Sequence, residues 1–160
     1  MDGLTSAGLL LFRVRPGGLE VLLGHMGGPY WARKDVGAWT IPKGECGPGE
    51  DHRAAALREF EEELGHPAPV TEMIPLGSLK QSGGKTVIVW AAEGDFDVST
   101  AVSNLFEMEW PPGSGRIQAF PEVDRAGWFD LATARDKLLR AQSGFLDRLV
   151  AVTDKDRASP

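Results

Sequence analysis

Residues 44–65 read GECGPGEDHRAAALREFEEELG, and the rest of the chain is organised around them. The stretch opens as a Gly/Pro loop, after which Glu50 and Asp51 place negative charge where a helix N-terminus favours it. Helix formers carry the pattern to Leu64. Gly65 supplies a left-handed stop, and Pro67 prevents continuation. At 3.6 residues per turn, Leu57, Phe60 and Leu64 make one apolar stripe that should face a core. Glu59, Glu62 and Glu63 stand at i, i+3 and i+4 and share a different face. Like charges so placed destabilise a helix by about 0.2–0.5 kcal/mol per pair. A hard divalent cation with oxygen ligands offsets that repulsion, whereas the bland alternative is a solvated acidic face.

For an arbitrary Glu-rich helix the solvated face is the better reading. Here the spacing matches a known signature, and that resemblance favours the cation. Gly44, five residues, Glu50, seven residues, then Arg58-Glu59-Phe60-x-Glu62-Glu63-x-Gly65 resembles the Nudix box. All seven polar or glycine positions of that motif are present, across more than twenty residues. Departures sit at its aliphatic positions, where Phe60 is aromatic and His66 follows the final glycine. Phe60 preserves the apolar contact, and His66 removes no ligand.

Upstream, Thr5 to Val14 and Leu19 to His25 are apolar, β-prone runs separated by Pro16-Gly17-Gly18, which predicts a hairpin. Gly27 to Gly37 is a polar-aromatic loop carrying Arg33 and Lys34. Trp39 to Lys43 reads as a short strand that delivers the chain into the box. Downstream, Met73 to Lys80 and Lys85 to Glu93 read as strands joined by a turn at Gln81 to Gly84. The run Thr86 to Ala92 is apolar in both alternating sets, as in a strand covered on both faces. Asn104 to Trp110 alternates, with Phe106, Met108 and Trp110 on one face. Pro111 to Arg125 is Pro/Gly-rich and reads as a long irregular loop, with Arg116 and Glu122 as its candidate functional charges. Ala126 to Phe129 resumes a strand. Asp130 can cap a helix with an apolar stripe of Leu131, Ala134, Leu138 and Ala141, and Ser143 can cap a second with Phe145, Leu149 and Val152 inward. Residues 1–152 read as a single domain and 153–160 as a frayed tail.

Strands on both sides of a box helix, with a helical C-terminus, make an α/β chain with a mixed sheet layered by helices. The resemblance sharpens this to the Nudix α/β/α sandwich with the box as loop-helix-loop.

The composition sets limits on function. At 160 residues, 42% hydrophobic and 25% charged, the chain is an ordinary globular domain with room for a core. Cys46 is the only cysteine, so no intrachain disulfide forms, which fits a reducing cytoplasm. Gly8 to Phe12 is too short for a signal or a membrane span. A net charge of −6 argues against non-specific nucleic-acid binding, although metal ions and a few cations can still seat a polyphosphate. The sequence assigns neither a protein partner nor an oligomeric state.

The Nudix resemblance implies hydrolysis of a phosphoric anhydride in a small-molecule nucleotide. It implies Glu59, Glu62 and Glu63, with the Gly44 carbonyl, as ligands of Mg²⁺ or Mn²⁺. Arg58 would orient the carboxylates, while Glu50 and Gly65 are structural parts of the motif. Lys43 occupies the lysine of the family's PKG approach and is expected to touch phosphate, with Lys85 and Arg116 as further candidate substrate contacts. The general base is left to Glu59, Glu63 or an acid outside the box, for which Glu122 is chosen over Glu107 and Glu109. Three stretches, SAGLLLFR, Lys85 to Trp90 and Glu122 to Trp128, resemble asymmetric diadenosine tetraphosphate hydrolases. A tyrosine expected downstream of the box in those enzymes is absent, since Tyr30 is the only one, and Trp31, Trp39 or Phe120 could stack a base instead. Position 81 is Gln, where ADP-ribose pyrophosphatases carry a nearby proline. The alternatives are cleansing of damaged nucleoside triphosphates and a non-catalytic nucleotide sensor. Retention of every box carboxylate disfavours the sensor.

Overall fold

The computed structural model describes residues 4–69 and 72–158, with side chains described as far as Thr153. Its centre is β1 (Thr5–Arg15), buried on both faces over most of its length. Strand β2 (Gly18–Met26) pairs antiparallel on one side, Phe12 facing Val21, and β6 (Thr86–Glu93) pairs parallel on the other, Leu9 facing Trp90. Beyond β6 lies β5 (Ile74–Lys80), antiparallel, and beyond β2 lies β9 (Val123–Asp130), also antiparallel. One parallel pair among antiparallel ones makes the sheet mixed.

The two sets of β1 side chains face different layers. Leu10 and Phe12 join a core with Ala134 of α2 (Leu131–Lys137) and Phe145, Leu146 and Leu149 of α3 (Gly144–Ala158). Leu9 and Leu11 join Phe60 and Leu64 of α1 (His52–Leu64) on the opposite face. The chain is therefore an α/β/α sandwich, with the box helix as one outer layer.

Local chemistry fixes the ends of α1. The Asp51 carboxylate accepts the Ala54 N–H at 3.0 Å, and Gly65 adopts φ 83°, where a side chain would be strained. Phe60 and Leu64 are fully buried and Leu57 partly so, as the apolar stripe requires.

Four expectations need correction. The strand read at Trp39 to Lys43 is two pieces, β3 (Trp39–Thr40) on β2 and β4 (Lys43–Glu45) on β1. Pro42 has no N–H for the ladder, and the chain changes partner there, with the buried Gln142 amide accepting the Ile41 N–H. Second, Pro111 to Arg125 is not irregular. Strands β7 (Leu105–Glu109) and β8 (Ile117–Pro121) form a two-stranded arm with Phe106 facing Phe120, and β9 begins at Val123. The Pro/Gly content is confined to the tip of that arm. Third, α2 ends at Lys137, so Ala141 is exposed and takes no part in the stripe. Fourth, α3 continues to Ala158, with the buried Thr153 hydroxyl donating to the Leu149 carbonyl, where a tail is expected from residue 153. Residues 159–160 of that tail lie outside the described residues. Among the described residues no helix is long and apolar enough to cross a membrane.

Candidate active site

Strand β4 runs beside α1 and turns the Gly44 backbone against the acidic face of the helix. The contact is close: a Cβ at Gly44 would lie 1.9 Å from Glu59 Oε2. Only glycine leaves the carboxylate its place. Around this point opens a cleft of about 380 Å³, lined by Lys43, Gly44, Glu59, Glu62, Glu63, Lys85 and Glu122 among others. Seven residues singled out from sequence thus converge on one cavity.

Arg58 lies beside the cleft and organises its acids. Its guanidinium donates to both oxygens of Glu50, from Nε at 2.8 Å and Nη2 at 2.9 Å. Its Nη1 donates to Glu59 at 2.9 Å and Glu62 at 3.0 Å, and Nη2 also reaches the Glu45 carbonyl at 3.1 Å. Paired with Arg58 and with the Gly47 N–H, the Glu50 carboxyl falls to about 2. Arg58 itself is held firmly charged, chiefly by Glu50. Glu50 is thus the anchor of the guanidinium, and the guanidinium offsets part of the repulsion between Glu59 and Glu62.

Glu63 is the most constrained acid. Burial pushes its carboxyl up to about 8, with Glu59 and Glu122 adding repulsion, although the Lys43 N–H donates to Oε2 at 3.1 Å and the Lys43 charge opposes the rise. Burial also raises the Glu59 carboxyl, assisted by Glu62 and opposed by Arg58. The same cause raises Glu122, where Lys43 again opposes it. The Lys43 charge therefore acts on both Glu63 and Glu122.

Other candidates fall outside. Arg116 is exposed near the tip of the β7–β8 arm, its N–H bonded to Ser114 Oγ, and is not among the cleft-lining residues. Glu107 and Glu109 stand on the exposed face of the arm, and Glu109 is used by the Gly113 N–H, so Glu122 alone of the three reaches the cleft. Trp39 is buried edge-on to Phe129 with its indole N–H donated to Asp35, so it cannot stack a base. Phe120 leans on Phe106, and Trp31 packs on the core beneath the Lys34 ammonium. Burial raises the Cys46 thiol, which leaves it a poor nucleophile. Sequence reasoning missed Ser6, Met26 and Asn104 as cleft walls. Nothing in their residue types marks them; only the crossing of β1, β2 and the arm brings them there.

Among the described residues no three acids are already drawn together tightly enough to hold an ion. The donor set nevertheless fits one. It offers only hard oxygen donors, beside a glycine that a side chain would fill, and it contains a buried carboxyl with no full counter-charge. A thermal consequence follows. Folded Glu63 keeps a proton between its ordinary 4.5 and about 8 that the unfolded chain has lost. Its stabilising contribution is therefore full below the lower value and disappears as pH rises through the upper one. In EDTA, Tm is expected to fall between pH 5 and pH 8 more steeply for wild type than for Glu63→Gln, and Mg²⁺ should restore it at pH 8. Parallel curves for the two proteins would show that Glu63 carries no such proton.

Comparison with known proteins agrees with this geometry. The NUDIX domain model matches residues 5–149. The bis(5'-nucleosyl)-tetraphosphatase (asymmetrical) of Sus scrofa is 35% identical over 112 residues, covering 62% of this chain and 72% of the relative. The 8-oxo-(d)GTP phosphatase of Mycolicibacterium smegmatis is 39% identical over 77 residues, covering 42% of this chain and 22% of that protein. Among solved structures, a binary complex of the C. elegans Ap4A hydrolase superposes with a TM-score of 0.66 at 24% identity, covering 94% of this chain and 98% of the other, and it shares the fold. A family match over nearly the whole chain, on a sandwich whose outer helix carries the box residues Arg58, Glu59, Glu62 and Glu63, shows that this protein belongs to the Nudix family and is a Nudix hydrolase.

Proposed function

We propose that the enzyme hydrolyses a phosphoric anhydride in a nucleoside diphosphate-X compound, with a dinucleoside polyphosphate such as diadenosine tetraphosphate as its preferred substrate. The observation that carries this reading is the cleft itself, which the box acids Glu59, Glu62 and Glu63 line together with Lys43 and Glu122. Anhydride oxygens repel nucleophiles, so catalysis amounts to shielding charge, placing a water and stabilising the leaving phosphate. Glu59, Glu62 and Glu63, with the Gly44 carbonyl, would hold Mg²⁺ or Mn²⁺, which when bound supplies phosphate-charge neutralisation and a more acidic water. Lys43 and Lys85 provide the cleft's own positive charge for phosphate. Arg58 keeps Glu59 and Glu62 oriented through its anchor at Glu50. Glu122 accepts the proton as water oxygen bonds to phosphorus and the P–O anhydride bond breaks, leaving two phosphate products. Burial makes Glu122 a stronger base than an ordinary carboxylate.

The substrate preference rests on the stretches resembling asymmetric diadenosine tetraphosphate hydrolases and on the Sus scrofa relative. The Mycolicibacterium smegmatis relative supports a second reading, nucleoside triphosphate cleansing. A panel of diadenosine tetraphosphate, dGTP and 8-oxo-dGTP separates them, with products resolved by mass spectrometry. The highest kcat/KM is expected for the dinucleotide. A clear preference for either triphosphate would replace the first reading with the second.

A further inference from the structure

His25 is fully buried near the end of β2, outside the cleft lining. Its Nδ1 lies 2.8 Å from Asp124 Oδ1, and its Nε2 lies 2.6 Å from the Lys34 carbonyl oxygen. Both partners are acceptors, since neither a backbone carbonyl nor an ionised carboxylate can donate. A neutral imidazole has one N–H and would set its lone pair against the other oxygen, and the ring itself is fully buried. The contacts are satisfied together only when both ring nitrogens carry protons. Asp124 balances that charge and is itself shared with Arg125, whose Nη1 is 3.7 Å away. The Trp39 ring meets the imidazole edge-on at 5.2 Å, and Asp35 of the same loop is committed to Trp39 and Lys137.

What these bonds join is the wall that bears Glu122. The pairing of β2 with β9 shifts register between His25 and Met26, which pair with Arg125 and Val123, so Asp124 is the extra residue of a bulge two positions from Glu122. Bulges re-aim side chains. Here the Gly27 N–H donates to the Glu122 carbonyl at 2.9 Å, and a Cβ at Gly27 would lie 1.8 Å from the Pro121 oxygen. Asp124 is two residues beyond Glu122, and Lys34 belongs to the loop that follows Gly27. Among the described residues, His25 is the one side chain hydrogen-bonded to both segments.

We propose that His25, protonated on both ring nitrogens, is a positioning residue for Glu122, tying Asp124 to the Lys34 carbonyl and so fixing where the bulge presents the Glu122 carboxylate. The kinetic part rests on the role given to Glu122 above; the protonation part does not. In ¹⁵N-labelled full-length protein at pH 7.5, long-range ¹H–¹⁵N spectra should show both His25 nitrogens protonated. In Asp124→Asn the amide can donate to Nδ1 while Nε2–H still meets Lys34. That ring should show one unprotonated nitrogen, with kcat within about threefold of wild type because both bonds survive. His25→Gln should lower kcat by about 10- to 100-fold with KM within about twofold. Added to Glu122→Gln it should cost nothing further, since the group it positions is already gone. An unprotonated His25 nitrogen in wild type overturns the proposal, as does a folded His25→Gln enzyme with wild-type kcat, or a full additional loss in the double variant. Should His25→Gln fail to fold, the spectra of wild type and Asp124→Asn decide. Should no anhydride be cleaved, the spectra still stand and only the proposed function fails.

Discussion

Glu59→Gln is expected to lower kcat for anhydride hydrolysis by more than about 10²-fold while leaving Tm unchanged or raised, a loss comparable to removing one preorganised electrostatic group. The two effects have one origin. Glu59 is buried against Gly44, and both burial and Glu62 disfavour its charge. A neutral isostere relieves this strain and can still accept from Arg58 Nη1. An acid kept where it costs stability is characteristic of a functional site. Glu62→Gln should likewise cut turnover by orders of magnitude with the fold intact, since Glu62 is exposed and, among the described residues, its carboxylate is bonded to Arg58 alone. Thermal melts and steady-state kinetics on the same preparations check this. If Glu59→Gln lost Tm in proportion to activity, the carboxylate would be structural.

Glu122→Gln should lower kcat by about 10²- to 10⁴-fold with KM little changed, because proton removal matters mainly in the transition state. The structure strengthens the choice over Glu107 and Glu109 by leaving those two on the arm's outer face. It also supplies a control. If Glu122 only helped to hold a cation, excess Mg²⁺ would restore much of the activity. Were kcat at the wild-type level, the base would be Glu59 or Glu63.

The box helix was fully legible because its signals are local. Negative charge at Glu50 and Asp51, an apolar stripe, and a glycine stop at Gly65 each depend on neighbours within a few positions. The central strands were legible for the same reason: their apolar, β-prone runs bounded by Gly/Pro turns are local signals. Expectations failed where a long-range partner overrode composition. Pro42 divides a strand because β1 and β2 compete for the chain on either side of it. The β7–β8 arm was hidden by its Pro/Gly tip and by the short, exposed run at Ile117. Glu122 could be proposed from its place before a returning strand, but its neighbour Lys43 is far away in sequence. His25 and Asp124 gave no signal at all. A histidine at the end of an apolar run and an aspartate in a loop are ordinary, and only a shifted register brings them together.

The central claim is that these acids act through a bound divalent ion, and metal titration of the wild-type enzyme tests it most directly. Protein freed of metal with EDTA would be assayed against diadenosine tetraphosphate, the cleaved nucleotides being quantified by mass spectrometry as Mg²⁺ or Mn²⁺ is added back. The expected result is negligible turnover in excess EDTA and saturable recovery with either ion, absent in Glu59→Gln at the same concentrations. Full turnover in excess EDTA would contradict it.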